Sequence, residues 1–218
     1  MRTRVKICCI TSEEALALAV RHGADAIGLV GPMPSGTGII DLARAKALAA
    51  ATPPGVASFL LSCATRPDDL VAEARHVAPA VLQIVDAVPA EAYAALRREL
   101  PALRIVQALH VCDEAALAEA RRLGGLVDAL LLDSGAPDAP VRELGGTGRV
   151  HDWSISRRIV EAVPVPVFLA GGLRPENVAE AIRTVRPYGV DLCTGLRTAG
   201  RLDPDKLGRF MAAVVASA

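Results

Sequence analysis

Along the chain, short runs rich in Val, Ile and Leu alternate with longer Ala/Leu/Arg/Glu stretches whose apolar positions recur at helical spacing. The runs predict strands near residues 4–9, 25–30, 56–61, 80–84, 104–109, 127–132, 165–169 and 189–193. The stretches predict helices near 12–22, 41–51, 67–77, 89–99, 113–123, 154–162, 175–185 and 203–216. Start signals agree with this reading: Ser12 precedes Glu13 and Glu14, Pro67 precedes Asp68 and Asp69, and Pro175 precedes Glu176. Eight alternating units without a linker or low-complexity tract predict one α/β domain over residues 1–218, a closed (β/α)8 TIM barrel rather than an open doubly wound sheet. Chemistry in such a barrel belongs to the carboxyl ends of the strands and the loops that follow them.

Composition narrows the classes of function. The chain is 52% apolar and 22% charged, enough to bury a large core. Its 24 basic and 24 acidic residues cancel, and no Lys/Arg run forms a basic surface, so nucleic acid is not an expected partner. Apolar runs stop well short of a membrane span of roughly 20 residues, and the amino terminus lacks the pattern of a signal peptide. A cytoplasmic protein without a membrane partner is expected. The five cysteines, Cys8, Cys9, Cys63, Cys112 and Cys193, are scattered and form no CxxC pair, which suggests neither a disulfide framework nor a zinc site.

Two positions carry candidate proton chemistry. Alternation along Lys6-Ile7-Cys8-Cys9 puts Lys6 and Cys8 on one face and Ile7 and Cys9 on the other. With Cys8 at the barrel mouth and Lys6 beneath it, the cation is expected to lower the thiol's pKa from its usual value of about 8.5. The other reading of Cys8 is a small buried hydrophobe. In Val127-Asp128-Ala129-Leu130-Leu131-Leu132-Asp133, counting by two puts Asp133 at the mouth after an apolar run, where burial raises a carboxyl's pKa. Asp133 reads either as an acid or as a turn cap. Together, a base and an acid on opposed strands suit proton transfer on a sugar or carbonyl compound.

Three clusters of small residues follow: Gly145-Gly146-Thr147-Gly148, Ala170-Gly171-Gly172 and Thr194-Gly195. The last two stand after the seventh and eighth strands, where barrels bind phosphate through backbone N–H groups. Gly146, Thr147, Gly148, Ala170, Gly171, Gly172, Thr194 and Gly195 are therefore the expected phosphate cradle, although any one cluster alone is more often a turn than a site. Gln83 and Asp191 lie near strand ends, where a polar side chain either lines a pocket or caps a backbone group.

In this order, the motifs resemble the phosphoribosylanthranilate isomerase family across nearly the whole chain. The resemblance rests on Lys6-Ile7-Cys8 with Ile10-Thr11, Gly23-Ala24-Asp25-Ala26-Ile27-Gly28, Leu132-Asp133-Ser134, Gly145-Gly146-Thr147-Gly148 with Asp152-Trp153, and Ala170-Gly171-Gly172-Leu173 with Pro175-Glu176-Asn177-Val178. It implies the barrel fold, Cys8 as general base, Asp133 as general acid, the glycine clusters as phosphate cradle, a phosphorylated small molecule as partner, and no metal or organic cofactor. The implied reaction is an Amadori rearrangement of an N-aryl aminoaldose 5'-phosphate. The sequence departs from the family pattern at four places. Cys9 replaces the family's usual glycine. Pro34-Ser35-Gly36-Thr37-Gly38-Ile39 lacks the arginine expected to meet the anthranilate carboxylate, and Gln83-Ile84-Val85-Asp86 lacks a histidine. Cys193-Thr194-Gly195-Leu196-Arg197 ends in a cation where the family has an acid. Arg197 is either a replacement for the missing arginine or a solvated loop residue, and Lys6, Gln83 and Asp191 complete the candidate substrate contacts. Two other functions fit the same residues: isomerisation of a different amino-sugar phosphate, and phosphate-ligand binding without catalysis.

Overall fold

In a computed structural model that describes residues 2–134 and 151–217, every predicted strand is present and paired in parallel. The strands are β1 (Arg4–Ile7), β2 (Ala26–Val30), β3 (Ala57–Ser62), β4 (Val81–Ile84), β5 (Arg104–His110), β6 (Ala129–Asp133), β7 (Val167–Leu169) and β8 (Gly189–Leu192). They close in sequence order, β8 returning to β1 with Lys6 opposite Asp191. The helices are α1 (Glu13–Arg21), α2 (Leu42–Ala51), α3 (Pro67–Val77), α4 (Ala90–Glu99), α5 (Ala115–Leu123), α6 (Trp153–Ala162), α7 (Val178–Val185) and α8 (Pro204–Val215). A 3-10 turn at Thr194–Leu196 and a short hairpin pairing Arg197–Thr198 with Arg201–Leu202 lie between β8 and α8.

Local chemistry explains the helix starts. Ser12 Oγ accepts from Ala15 N, Pro67 opens α3 where its missing N–H costs nothing, and Asp203 caps α8 ahead of Pro204. The expected helix at 175–185 begins later, at Val178. Residues 175–177 form a turn instead, because Asn177 turns back: its Oδ1 accepts from Arg174 N and its Nδ2 donates to the Gly172 carbonyl. That brace ties the α7 start to the glycine pair after β7.

Two apolar layers result. Ile7, Ile27, Leu29, Leu60, Leu82 and Ile84 face outward from the strands and pack against Leu48, Leu70, Leu96 and Phe210 on the helices, all fully buried. Inside the barrel, Phe59 and Phe168 meet edge to face at 5.9 Å and fill the interior together with Ala26, Val81, Val106 and Ala129. Gly189 makes room for this plug, since a Cβ there would lie 2.6 Å from Phe168 Cε1. Beside the plug the interior turns polar: Lys6, Gln83 and Asp191 are buried there. An apolar side chain would fill those positions at less desolvation cost, so their presence calls for a role beyond packing. Among the described residues no helix is long and apolar enough to cross a membrane.

Candidate active site

The carboxyl ends of β1 and β8 build one wall of a cavity at the barrel mouth. Lys6 has no exposed surface; its Nζ lies 2.8 Å from Asp191 Oδ2 and 5.3 Å from the Phe59 ring centroid. Such a pair holds because each charge replaces lost water with the other. Cys8 continues the strand pairing by donating its N–H to the Leu192 carbonyl at 2.7 Å, which fixes its height above Lys6. Gly28 on β2 is the other constraint. A Cβ at that position would lie 2.7 Å from Cys8 Sγ, so the thiol occupies space that only glycine leaves open.

The alternation expected along β1 ends at Cys9. Its φ is 63°, in the left-handed region that an L side chain seldom adopts, and this turns Cys9 toward the cavity alongside Cys8 instead of outward. The expectation of no disulfide is corrected here as well. Cys9 and Cys193 are joined, with Cα atoms 5.9 Å apart and 184 residues between them in sequence. Spacing along the chain gave no hint of this pair, but barrel closure does: Cys9 stands three residues after Lys6, and Cys193 two residues after its partner Asp191.

Asp133 ends β6 across the mouth, 8% exposed, its Oδ1 accepting from Ser134 N at 2.7 Å. Burial raises its pKa to about 6 against that hydrogen bond, and the charge of Asp191 pushes in the same direction. This matches the expected direction. The thiol does not: burial pushes Cys8 up to about 11, with Lys6 opposing the rise and Asp191 adding to it. Lys6 fails to give the expected thiolate because burial of the thiol outweighs it, and the charge of its partner Asp191 adds to the rise. The free cavity therefore holds the proton on Cys8 and the charge on Asp133 between about pH 6 and 11.

Cys8, Asp133, Gln83, Asp191, Ala170, Gly171, Gly172, Thr194 and Gly195 all line this one cavity. Gln83 Oε1 and Asp191 Oδ1 are buried without a hydrogen-bond partner, two acceptors held ready for a ligand's donors. Gly171 and Gly172 have φ of 82° and 61°, and a Cβ on Gly171 would lie 2.6 Å from Ser134 Oγ. A Cβ on Gly195 would collide with the Leu173 carbonyl. Both glycines are required by the close approach of neighbouring residues of the chain itself. Ala170 contributes wall rather than a donor, its N–H being given to the Leu132 carbonyl. Gly146, Thr147 and Gly148 lie outside the described residues.

The missing arginine is not replaced by Arg197 in this geometry. Ser35, Gly36 and Thr37 form the wall after β2, and no Lys or Arg lines the cavity among the described residues. Nor is Arg197 a solvated loop residue. It is half-buried behind β1 and β8, donating to the carbonyls of Cys193, Cys8 and Cys9. Sequence reasoning also missed the roles of Gly28 and Asn177, both of which stand inside motifs whose order alone was read.

Comparison with known proteins identifies the family. Residues 5–213 match the family described as N-(5'phosphoribosyl)anthranilate (PRA) isomerase. The N-(5'-phosphoribosyl)anthranilate isomerase of Haloferax volcanii is 41% identical over 97% of this chain and 92% of its own length. That of Methanocella arvoryzae is 38% identical over 91% of each chain. Among solved structures, the phosphoribosyl anthranilate isomerase from Thermotoga maritima superposes with a TM-score of 0.83 at 29% identity, covering 98% of this chain and 99% of that one. A phosphoribosyl anthranilate isomerase in complex with reduced 1-(o-carboxyphenylamino)-1-deoxyribulose 5-phosphate gives 0.80 at 27% identity, with the same coverage. On a match that spans almost all of its length, the chain belongs to the N-(5'-phosphoribosyl)anthranilate isomerase family.

Proposed function

We propose that this protein converts N-(5'-phosphoribosyl)anthranilate to 1-(o-carboxyphenylamino)-1-deoxyribulose 5-phosphate, a step of tryptophan biosynthesis, in the cytoplasm. The observation that carries the reading is the meeting of Cys8 and Asp133, from opposed strand ends, in one cavity that also includes Gly171, Gly172, Thr194 and Gly195. Asp133 gives a proton to the furanose ring oxygen, and the ring opens to a Schiff base. Cys8 thiolate takes the C2' proton, leaving an enolamine that tautomerises to the ketone. Nothing is oxidised or reduced overall, and each step moves a proton between atoms the cavity brings together.

The working form has its proton on Asp133 and its charge on Cys8, the reverse of the resting arrangement. Substrate binding has to favour it. The open acceptors Gln83 Oε1 and Asp191 Oδ1 suit the sugar hydroxyls, and the backbone donors after β7 and β8 suit the phosphate. Complementation of a tryptophan auxotroph lacking the isomerase tests the reading. Growth without tryptophan is expected; no growth from a folded, expressed protein would refute it.

A second reading concerns the substrate's aromatic end. No cation lines the cavity among the described residues, which favours an isomerase that takes an amino-sugar phosphate whose aglycone carries no carboxylate.

A further inference from the structure

We propose that Arg197 is a positioning residue for the base, clamping the turn that carries Cys8 by holding the backbone carbonyls on both sides of the β1–β8 seam. The proposal rests on Cys8 acting as the base. Arg197 Nη1 donates to the Cys193 carbonyl at 2.7 Å, and Nη2 donates to the carbonyls of Cys9 at 2.6 Å and Cys8 at 3.1 Å. Among the described residues no carboxylate forms an ion pair with this half-buried guanidinium. A desolvated cation that spends its donors on three carbonyls of two neighbouring strand ends is a brace, because an arginine with free choice would stay in water.

The turn being braced is one that needs it. Cys9 sits at φ 63°, and the carbonyls on either side of that residue's backbone N–Cα–C unit, those of Cys8 and Cys9, converge on Nη2. Releasing them lets Cys9 relax toward ordinary φ and swings Cys8 away from its narrow seat against Gly28. Arg197 is itself fixed from α8: Lys206 Nζ donates to the Arg197 carbonyl at 2.6 Å, and Asp203 N donates to the Leu196 carbonyl at 2.9 Å. The Cys9–Cys193 disulfide ties the same two loops a second time.

Charge adds to position. The charged groups around Cys8 are Lys6 on its own strand, Asp191 on β8, Asp133 across the mouth on β6 and Arg197 behind the seam. Lys6 is paired with Asp191, whereas among the described residues Arg197 meets neutral carbonyls, so its charge remains available to favour the thiolate. Burial lifts the thiol, and both cations pull it down.

Two readouts test the clamp in Arg197→Met and Arg197→Lys: steady-state kinetics on phosphoribosylanthranilate, and iodoacetamide alkylation of Cys8 without substrate, followed by mass spectrometry. The methionine variant is expected to lose about tenfold or more in kcat with KM within about threefold of wild type. At about pH 8.5, below the thiol's pKa, its Cys8 alkylation rate should fall about threefold or more. The lysine variant keeps the charge and should recover most of the alkylation rate and part of kcat. If the methionine variant fails to fold, the lysine variant decides alone, since wild-type kcat in a side chain too short for three carbonyls overturns the clamp. The clamp is equally overturned if Arg197→Met keeps wild-type kcat, if KM alone rises, or if activity falls only with the folded fraction while alkylation is unchanged. Should wild type itself fail to turn over phosphoribosylanthranilate, the proposed function falls, and the alkylation rates still judge the clamp.

Discussion

Asp133 ends an apolar strand run with a carboxyl group that burial holds near pH 6, and this sets its proposed acid role against stability. A group whose folded pKa is raised gives its full contribution to stability below the unfolded pKa, here 3.8, and loses it as pH rises through about 6. The loss amounts to something on the order of 3 kcal/mol, at 1.36 kcal/mol per unit. Asp133→Asn keeps the acceptor for Ser134 N and removes the charge. It should therefore unfold at higher urea than wild type at pH 8, with the difference vanishing near pH 4; equal stability at both pH values would show that the carboxyl is not strained by burial. The direction of this shift was legible in sequence, because Leu131 and Asp133 share a face and the run before them is apolar. The direction at Cys8 was not. Lys6 was visible two residues away, but the burial of the thiol, which outweighs it, comes from barrel closure, and Asp191, which adds to the rise, lies 185 residues from Lys6.

Strands and helices were legible because each needs only a local period, and the eight barrel strands and eight helices fall where the pattern puts them within a few residues. Misplacement came where a side chain redirected the backbone. Asn177 holds residues 175–177 out of α7, and the left-handed Cys9 turns the β1 end inward. The seam between β1 and β8 is the element-scale feature on which the site depends most, and its Lys6–Asp191 pair is buried from both sides. Removing one partner leaves the other charge uncompensated, at a cost of about 3–5 kcal/mol. Lys6→Met should accordingly lower the urea midpoint sharply at neutral pH, and Lys6→Met/Asp191→Leu should regain much of it. A single variant as stable as wild type would mean that water reaches Asp191 at the seam.

For the whole molecule, closure of the barrel converts scattered residues into one site. Cys9 and the segment 193–197, read from the sequence as two separate departures from the family pattern, meet across the seam as a disulfide and a set of carbonyl contacts. No local pattern could show that, since closure is a property of the eighth strand finding the first. Cavity composition bears on specificity in the same way. With no cation among the described lining residues, removing the carboxylate from the substrate, as in the N-phenyl analogue, should lower kcat/KM by less than about tenfold, or 1.4 kcal/mol. A hundredfold drop would place a cation against the carboxylate. The central claim is that Cys8 and Asp133 move the protons, and kcat/KM on phosphoribosylanthranilate for wild type, Cys8→Ala and Asp133→Asn tests it most directly. Wild type should turn over, and each variant should fall by about a thousandfold or more while inorganic phosphate still inhibits or binds within about threefold of its wild-type strength. Wild-type turnover in either variant, or none in the folded wild type, would contradict it.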